Sequence, residues 1–178
     1  MGRQISRKEA GEILRKSAEA GLVHGVSNWQ QPDTICNCDP DCCMFFEAVH
    51  KLKHAKGISS SNYRVRIDRD TCIGCGLCVK RCPMYALQLE DAPEAKDRVT
   101  VVVTDDKAKK ALKNRKGKVS AVNPDQCIGC GVCVYKCPSK SLVLERREVL
   151  EDPPQHAREL AQRVMTEMAA AGKQGERR

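Results

Sequence analysis

Aromatic side chains are nearly missing from this chain: one Trp, three Tyr and two Phe make up 3% of its 178 residues. Protein cores draw much of their buried area from such rings, so a thin core is expected. Bound metal supplies the missing stability in other small scaffolds. No apolar run approaches the ~20 residues that cross a bilayer, and none resembles the hydrophobic stretch of a secretory leader. A Walker loop, a dinucleotide-binding glycine fingerprint and a Ser/His/Asp constellation are all absent, so nothing points to an active site of the chain's own. Gly74 and Gly76 follow a cysteine and read as part of a cysteine loop rather than a phosphate cradle. Met1-Gly2 with Ser6 matches the myristoylation pattern, but Ser6 with Glu9 is better explained as a capping box, and Ile5 with Ala10 as its staple.

What the chain has in abundance is cysteine, twelve in all. Without a leader these thiols are expected in a reducing cytosol, bound to metal rather than paired as disulfides. Eight fall in two runs of the form C-x2-C-x2-C-x3-C-P: Cys72, Cys75, Cys78 and Cys82 before Pro83, and Cys127, Cys130, Cys133 and Cys137 before Pro138. This is the bacterial run that ligates cubane iron–sulfur clusters, with the fourth cysteine past a turn and directed at the other cluster. The repeat extends beyond the cysteines at an offset of 55 residues, with Asp70, Ile73, Gly74, Gly76, Val79, Leu87, Leu89 and Glu90 returning as Asp125, Ile128, Gly129, Gly131, Val134, Leu142, Leu144 and Glu145. The glycines let backbone amides turn toward cluster sulfur. The prolines fix the backbone after the fourth cysteine. The isoleucines exclude water, which disfavours the charge-increasing reduction.

A helix is expected over 7–20, with Ala10, Ile13, Leu14 and Ala18 on one face and Gly21 as its stop. The remaining four cysteines, Cys36, Cys38, Cys42 and Cys43, lie within eight residues. Two readings compete. Structural zinc usually draws ligands from two knuckles far apart in sequence, whereas a chain already committed to iron–sulfur chemistry favours a third [4Fe–4S] cluster. Adjacent Cys42 and Cys43 are awkward on one cube, and His24 is the nearest substitute ligand. A second helix is expected over 41–55, carrying Phe45, Val49 and Leu52 as its stripe, Cys42 and Cys43 in its first turn, and Gly57 as its end. Glu47, His50 and His54 have metal-holding spacing on it, but Lys51, Lys53 and Lys56 make a solvated basic face the better reading.

A polar linker over 58–62 separates this unit from an alternating strand, 63–67, that leads into the first cysteine run; a short strand, 87–89, follows it. An insertion spans about 91–122, with a β-branched strand expected over 98–104 paired to 118–122. Between them lie Lys107, Lys109, Lys110, Lys113, Arg115 and Lys116, a basic segment suited to an acidic protein partner. It interleaves no aromatic residue for base stacking, which argues against nucleic acid. The formal charge of +8 points the same way. Twelve thiolates and three cores of about +2 each would bring the loaded chain to roughly +2, so the basic excess mainly balances bound clusters. A last helix is expected over 155–171 with Leu160, Val164, Met165 and Met168 along one side, covering its own unit or a partner subunit; 173–178 is expected to be disordered.

At 70–90 and 125–145 the chain resembles the bacterial two-[4Fe–4S] ferredoxin family. That resemblance implies an α+β, pseudo-twofold unit with crossed ligands: Cys72, Cys75, Cys78 and Cys137 for one cluster, Cys127, Cys130, Cys133 and Cys82 for the other. The segment Gly21-Leu22-Val23-His24, with Ile35-Cys36-Asn37-Cys38 and Cys42-Cys43, is similar to a module found ahead of ferredoxin units in proteins of strict anaerobes, although Asp39 and Asp41 stand where others have cysteine. With three clusters, the chain is similar to the small electron-transfer subunits of tungsten-containing (class II) benzoyl-coenzyme A reductases. The organisation this implies is an N-terminal helical cysteine-rich module over 1–60, a ferredoxin-like unit over 61–150 and a C-terminal helix and tail over 151–178 that meets a partner. The implied partners are a catalytic oxidoreductase subunit carrying tungsten-pterin and a further redox subunit or ferredoxin, in a cytoplasmic hetero-oligomer with no membrane span and no nucleic acid. A freestanding ferredoxin carrier and a metal-stabilised interaction module are the alternatives.

Overall fold

Two short strands that alternate apolar and charged residues bracket the cysteine runs, and their pairing sets the architecture. The computed structural model describes residues 2–53, 57–95, 106, 109 and 117–175. α1 (Arg7–Ala20), β1 (Val23–Val26), β2 (Ile35–Cys38) and α2 (Met44–His50) come first. β3 (Tyr63–Ile67), α3 (Leu77–Arg81) and β4 (Leu87–Asp91) carry the first cysteine run, and β5 (Lys118–Val122), α4 (Val132–Tyr135) and β6 (Leu142–Arg146) the second. α5 (Ala157–Gly175) closes the chain.

β3 pairs antiparallel with β6, placing Val65 opposite Leu144, and β4 pairs antiparallel with β5, placing Leu87 opposite Val122. Each sheet therefore joins the strand before one cysteine run to the strand after the other. β5 takes β4 as a partner, and the expected strand over 98–104, with its pairing to 118–122, lies outside the described residues. Val65, Leu87 and Leu142 meet Cys78 and Cys133 in one buried cluster between the sheets. Arg64 and Glu145 pair across β3 and β6 at 2.9 Å, half exposed and worth little by themselves. The tightest constraint is at Gly74 and Gly129. A Cβ on Gly129, at φ 71°, would lie 2.1 Å from the Tyr63 carbonyl oxygen; one on Gly74, at φ 62°, would lie 2.2 Å from that of Lys118. Each cysteine loop is thus pressed onto the leading strand of the other half, a closeness only glycine permits.

In the N-terminal segment Ser6 accepts from the Glu9 amide and Gly21 adopts a left-handed C-cap, so α1 begins and ends where the pattern placed it. The reciprocal half of the capping box is not made, because the Glu9 carboxylate pairs with Arg3. The segment is not wholly helical: β1 and β2 form an antiparallel ribbon with Val23 opposite Cys38 and Gly25 opposite Cys36. α2 is shorter than the expected 41–55. Asp39 accepts from the Asp41 amide, its carbonyl accepts from the Cys42 and Cys43 amides, and this turn delays the helix until Met44, with Cys43 as N-cap. Cys42 and Cys43 therefore precede the first turn rather than lying in it. The helix stops at His50, ahead of Lys53 at φ 56°.

This segment seats on the second half of the ferredoxin-like unit. Val23, Phe46 and Val132 form a buried cluster against which Cys38, Cys43, Ile128 and Cys130 pack. Arg81 ties α1 down, donating to the Ala18 carbonyl at 2.8 Å and the Val132 carbonyl at 3.3 Å, a cation at a helix C-terminus. His50 donates to the Pro83 carbonyl at 2.8 Å, and Glu47 pairs with Lys51, so those two side chains do not converge on a metal; His54 lies outside the described residues.

Beyond β6, the Gln30 amide donates to the Pro154 carbonyl and its side chain to that of Pro153, fastening the chain before α5. His156 caps α5 by accepting from the Glu159 amide, which starts the helix at Ala157 rather than 155. Helical backbone continues through 173–175, which the composition suggested was disordered. Val164, Met165 and Met168 are exposed, so their stripe does not cover the chain's own core. Among the described residues no helix is long and apolar enough to cross a membrane.

Candidate functional site

The strand exchange decides where the cysteines meet. Three of each run lie on the loop and short helix that follow its leading strand, and the fourth lies just before the strand that crosses to the other sheet. Cys72, Cys75, Cys78 and Cys137 line one cavity, with Ser120, Ser139, Ser141 and Leu142 among its walls. Cys127, Cys130, Cys133 and Cys82 line a second, with Val65, Met84, Ala86 and Ile128 among its walls. In both, three thiols of one run face the last thiol of the other.

Electrostatics repeat this grouping. Burial pushes the Cys133 thiol up to about 12, with Cys130, Cys82 and Cys127 adding to it. Cys130 is raised by burial and by Cys82 and Cys127, and Cys75 by burial, Cys137 and Cys72. Thiols so crowded and desolvated hold a negative charge only when a cationic core compensates them. Cys137 departs from the pattern. Burial acts to raise it, but hydrogen bonds led by those from the Ser141 hydroxyl and the Leu142 amide outweigh that and leave it below the ordinary thiol value. Its counterpart Cys82 accepts from the Ala86 amide at 3.2 Å.

Four soft sulfur donors per cavity, apolar walls and inward backbone amides fit a [4Fe–4S] core well. Among the described residues no three His, Cys, Asp or Glu side chains converge as ligands of a single ion would. Cys78 of one cavity and Cys133 of the other belong to the same buried cluster.

The third group is looser. Cys36 and Cys38 share one face of β2, and Cys38 is pushed up to about 11 by burial and by its neighbours Cys43 and Cys36. Cys42 is exposed, its Sγ 4.0 Å from the Asp39 carbonyl oxygen. His24 does not join them. It sits opposite Asn37, on the ribbon face away from Cys36 and Cys38, and its Nδ1 donates to Asn37 Oδ1 at 2.8 Å. The serines at the first cavity were not singled out by sequence reasoning. Laying the two halves over each other at 55 residues exposes them, because Ser120, Ser139 and Ser141 fall on Val65, Met84 and Ala86.

The chain matches the 4Fe-4S dicluster domain family over residues 64–138. It is 35% identical over 72 residues to ferredoxin-3 of Nostoc sp., covering 40% of this chain and 67% of that one. To ferredoxin-3 of Rhodobacter capsulatus it is 33% identical over 78 residues, covering 44% and 76%. A 94-residue stretch is 34% identical to part of the pyruvate-flavodoxin oxidoreductase of Rhodospirillum rubrum, 52% of this chain but 8% of that enzyme's length. With two thiol-lined cavities built from interleaved halves, and ferredoxins matched over most of their length, this chain belongs to the [4Fe–4S] dicluster ferredoxin family.

Proposed function

We propose that the chain is an electron-relay subunit with three [4Fe–4S] stations, passing single electrons to or from a catalytic partner. Its observational basis is the pair of cavities, each lined by three cysteines of one run and the fourth of the other. On this reading Cys72, Cys75, Cys78 and Cys137 hold the first cluster, and Cys127, Cys130, Cys133 and Cys82 the second. Cys36, Cys38, Cys42 and Cys43 hold the third. When bound, the clusters supply reversible one-electron chemistry. The chain's residues fix their spacing, exclude water through Ile73, Ile128, Leu87 and Leu142, and aim amides at sulfur. Packing of Cys38, Cys43, Ile128 and Cys130 against one buried cluster, Val23, Phe46 and Val132, supports an order in which the N-terminal station adjoins the second cluster, and the first cluster lies at the far end.

The partner is read as the catalytic subunit of an anaerobic oxidoreductase, of the tungsten benzoyl-coenzyme A reductase type, in a cytoplasmic heteromer. Three features support permanent attachment: the exposed apolar stripe of α5, the basic insertion and the N-terminal module over 1–60. The likeness to ferredoxin-3 proteins favours the second reading, a freestanding carrier. Anaerobic isolation from the native source with iron, sulfide and zinc analysis tests the stations. About 12 iron atoms per chain and no zinc is expected; about eight with one zinc would assign Cys36 to Cys43 to a structural ion instead. Co-elution with a larger subunit on size-exclusion chromatography is expected, and a monomer would favour the carrier.

A further inference from the structure

The two halves of the ferredoxin-like unit repeat in sequence and in the order of their elements, yet the side chains around their cavities differ in one chemical respect. Around Cys72, Cys75, Cys78 and Cys137 stand three hydroxyls. Ser120 Oγ lies 2.9 Å from Cys78 Sγ, and Ser141 Oγ lies 3.4 Å from Cys137 Sγ. Ser139 donates to Ser141 at 3.1 Å, which leaves the Ser141 proton for sulfur. Ser120 and Ser141 are 2% and 1% exposed, so water does not compete for them. At the matching positions the other cavity has Val65, Met84 and Ala86, and among the described residues no hydroxyl side chain lines it. Backbone donors are partly shared, since amides reach Cys82 and Cys137 alike, and the Ser120 amide adds one to Cys72 at 3.4 Å, which a Ser120 side-chain substitution leaves in place.

We propose that Ser120, Ser141 and Ser139 set the redox polarity of the unit, making the Cys72/Cys75/Cys78/Cys137 centre the easier of the two to reduce, so that an electron arriving at either comes to rest there. This inference rests on the ligand reading above. Reduction adds one negative charge, which spreads onto the ligating sulfurs. A buried hydroxyl aimed at sulfur strengthens its bond as that charge grows, whereas Val65 and Ala86 offer nothing to a growing charge. A thiolate ligand has no proton, so in the Cys78–Ser120 pair the serine is the donor. The exchange itself moves one electron: one centre is oxidised, the other reduced, no bond is made or broken, and each hydroxyl proton stays on its serine. Exposure is divided and does not set the order, because Cys75 is more exposed than Cys130 but Cys72 is more buried than Cys127. Two cations oppose this polarity. Arg147 donates to the Cys127 carbonyl at 2.6 Å and Arg81 to the Val132 carbonyl at 3.3 Å, both near the other centre. Their charges are partly solvated and bonded to carbonyls, not to sulfur, so the direct hydroxyl–sulfur contacts outweigh them.

The test is a mediator-poised reductive titration of the anaerobically isolated holoprotein with dithionite, read by electron paramagnetic resonance, with iron counted per chain in each variant. Ser120→Ala should lower the highest-lying step of the ferredoxin unit so that its oxidised-to-reduced ratio at fixed poise rises about tenfold, close to 59 mV, and Ser141→Ala by a smaller amount in the same step. Val65→Ser should raise the other step and leave the first in place. Where Ser120→Ala loses iron, Ser120→Thr, which keeps the hydroxyl, should restore both iron and potential. Unmoved steps in an iron-replete Ser120→Ala protein would overturn the proposal, as would Ser120→Ala and Val65→Ser acting on the same step. Failure of the relay reading looks different: the wild-type protein would take up no electrons at all.

Discussion

The two cysteine-bearing regions of this chain solve the same problem by different means. In the ferredoxin-like unit eight thiols are gathered by exchanged strands, and Cys72, Cys78 and Cys133 are buried before any metal is considered. In the N-terminal module four thiols hang from a four-residue strand and a turn, with Cys36 and Cys42 exposed. The first arrangement is preorganised, its cost met by burial of Val65, Leu87, Val119 and Leu142. The second depends on its metal to draw the ligands together, as in other small metal-ordered segments. The difference teaches that one chain can hold a rigid pair of sites and, against it, a site whose own order is conditional.

The strongest way to break this comparison is at the exchanged ligands. Cys75→Ala and Cys137→Ala should each lose about four iron atoms and leave the same residual paramagnetic spectrum, while Cys130→Ala and Cys82→Ala should leave the other. If Cys137→Ala instead matches Cys130→Ala, each run serves its own cluster. In the N-terminal module, Cys38→Ala should also remove about four iron atoms, yet amide protection over 63–67 and 142–146 should persist. Loss of protection there would mean that the module is part of the unit's folding rather than an addition to it.

Smaller changes sharpen the contrast. Gly129→Ala puts a methyl group into the Tyr63 carbonyl at a positive φ and should cost about 3 kcal/mol, seen as bleaching of the clusters at lower temperature. Gly25→Ala, in the conditional site, meets only Cys38 Sγ at an ordinary 3.5 Å and should change little. Arg81→Ala removes the bonds to the end of α1 and should cost about 1 kcal/mol, detectable as faster amide exchange in α1 with iron content unchanged.

Much of the ferredoxin-like unit was legible because its determinants are local. The cysteine spacing, the alternation in 63–67 and the Ser6 and Gly21 caps all act within a few residues. Strand pairing was harder. Nothing in 118–122 alone names β4 as its partner; the internal repeat, which makes 118–122 the counterpart of 63–67 and 87–91 that of 142–146, is the guide. α2 starts later than its apolar pattern suggests because Asp39 bonds the Asp41 amide and claims those residues for a turn. His24 was a plausible ligand only while β1 went unrecognised. Once it is a strand, parity sends His24 and the cysteines to opposite faces. The serine contrast was written in the sequence, but it reads as chemistry only when Ser120 is seen to be buried against Cys78.

Counting electrons tests the central claim most directly. Anaerobically isolated protein titrated with dithionite should take up about three electrons per chain as its visible absorption bleaches. An iron-bearing protein that accepts none, or a colourless one, would contradict the account.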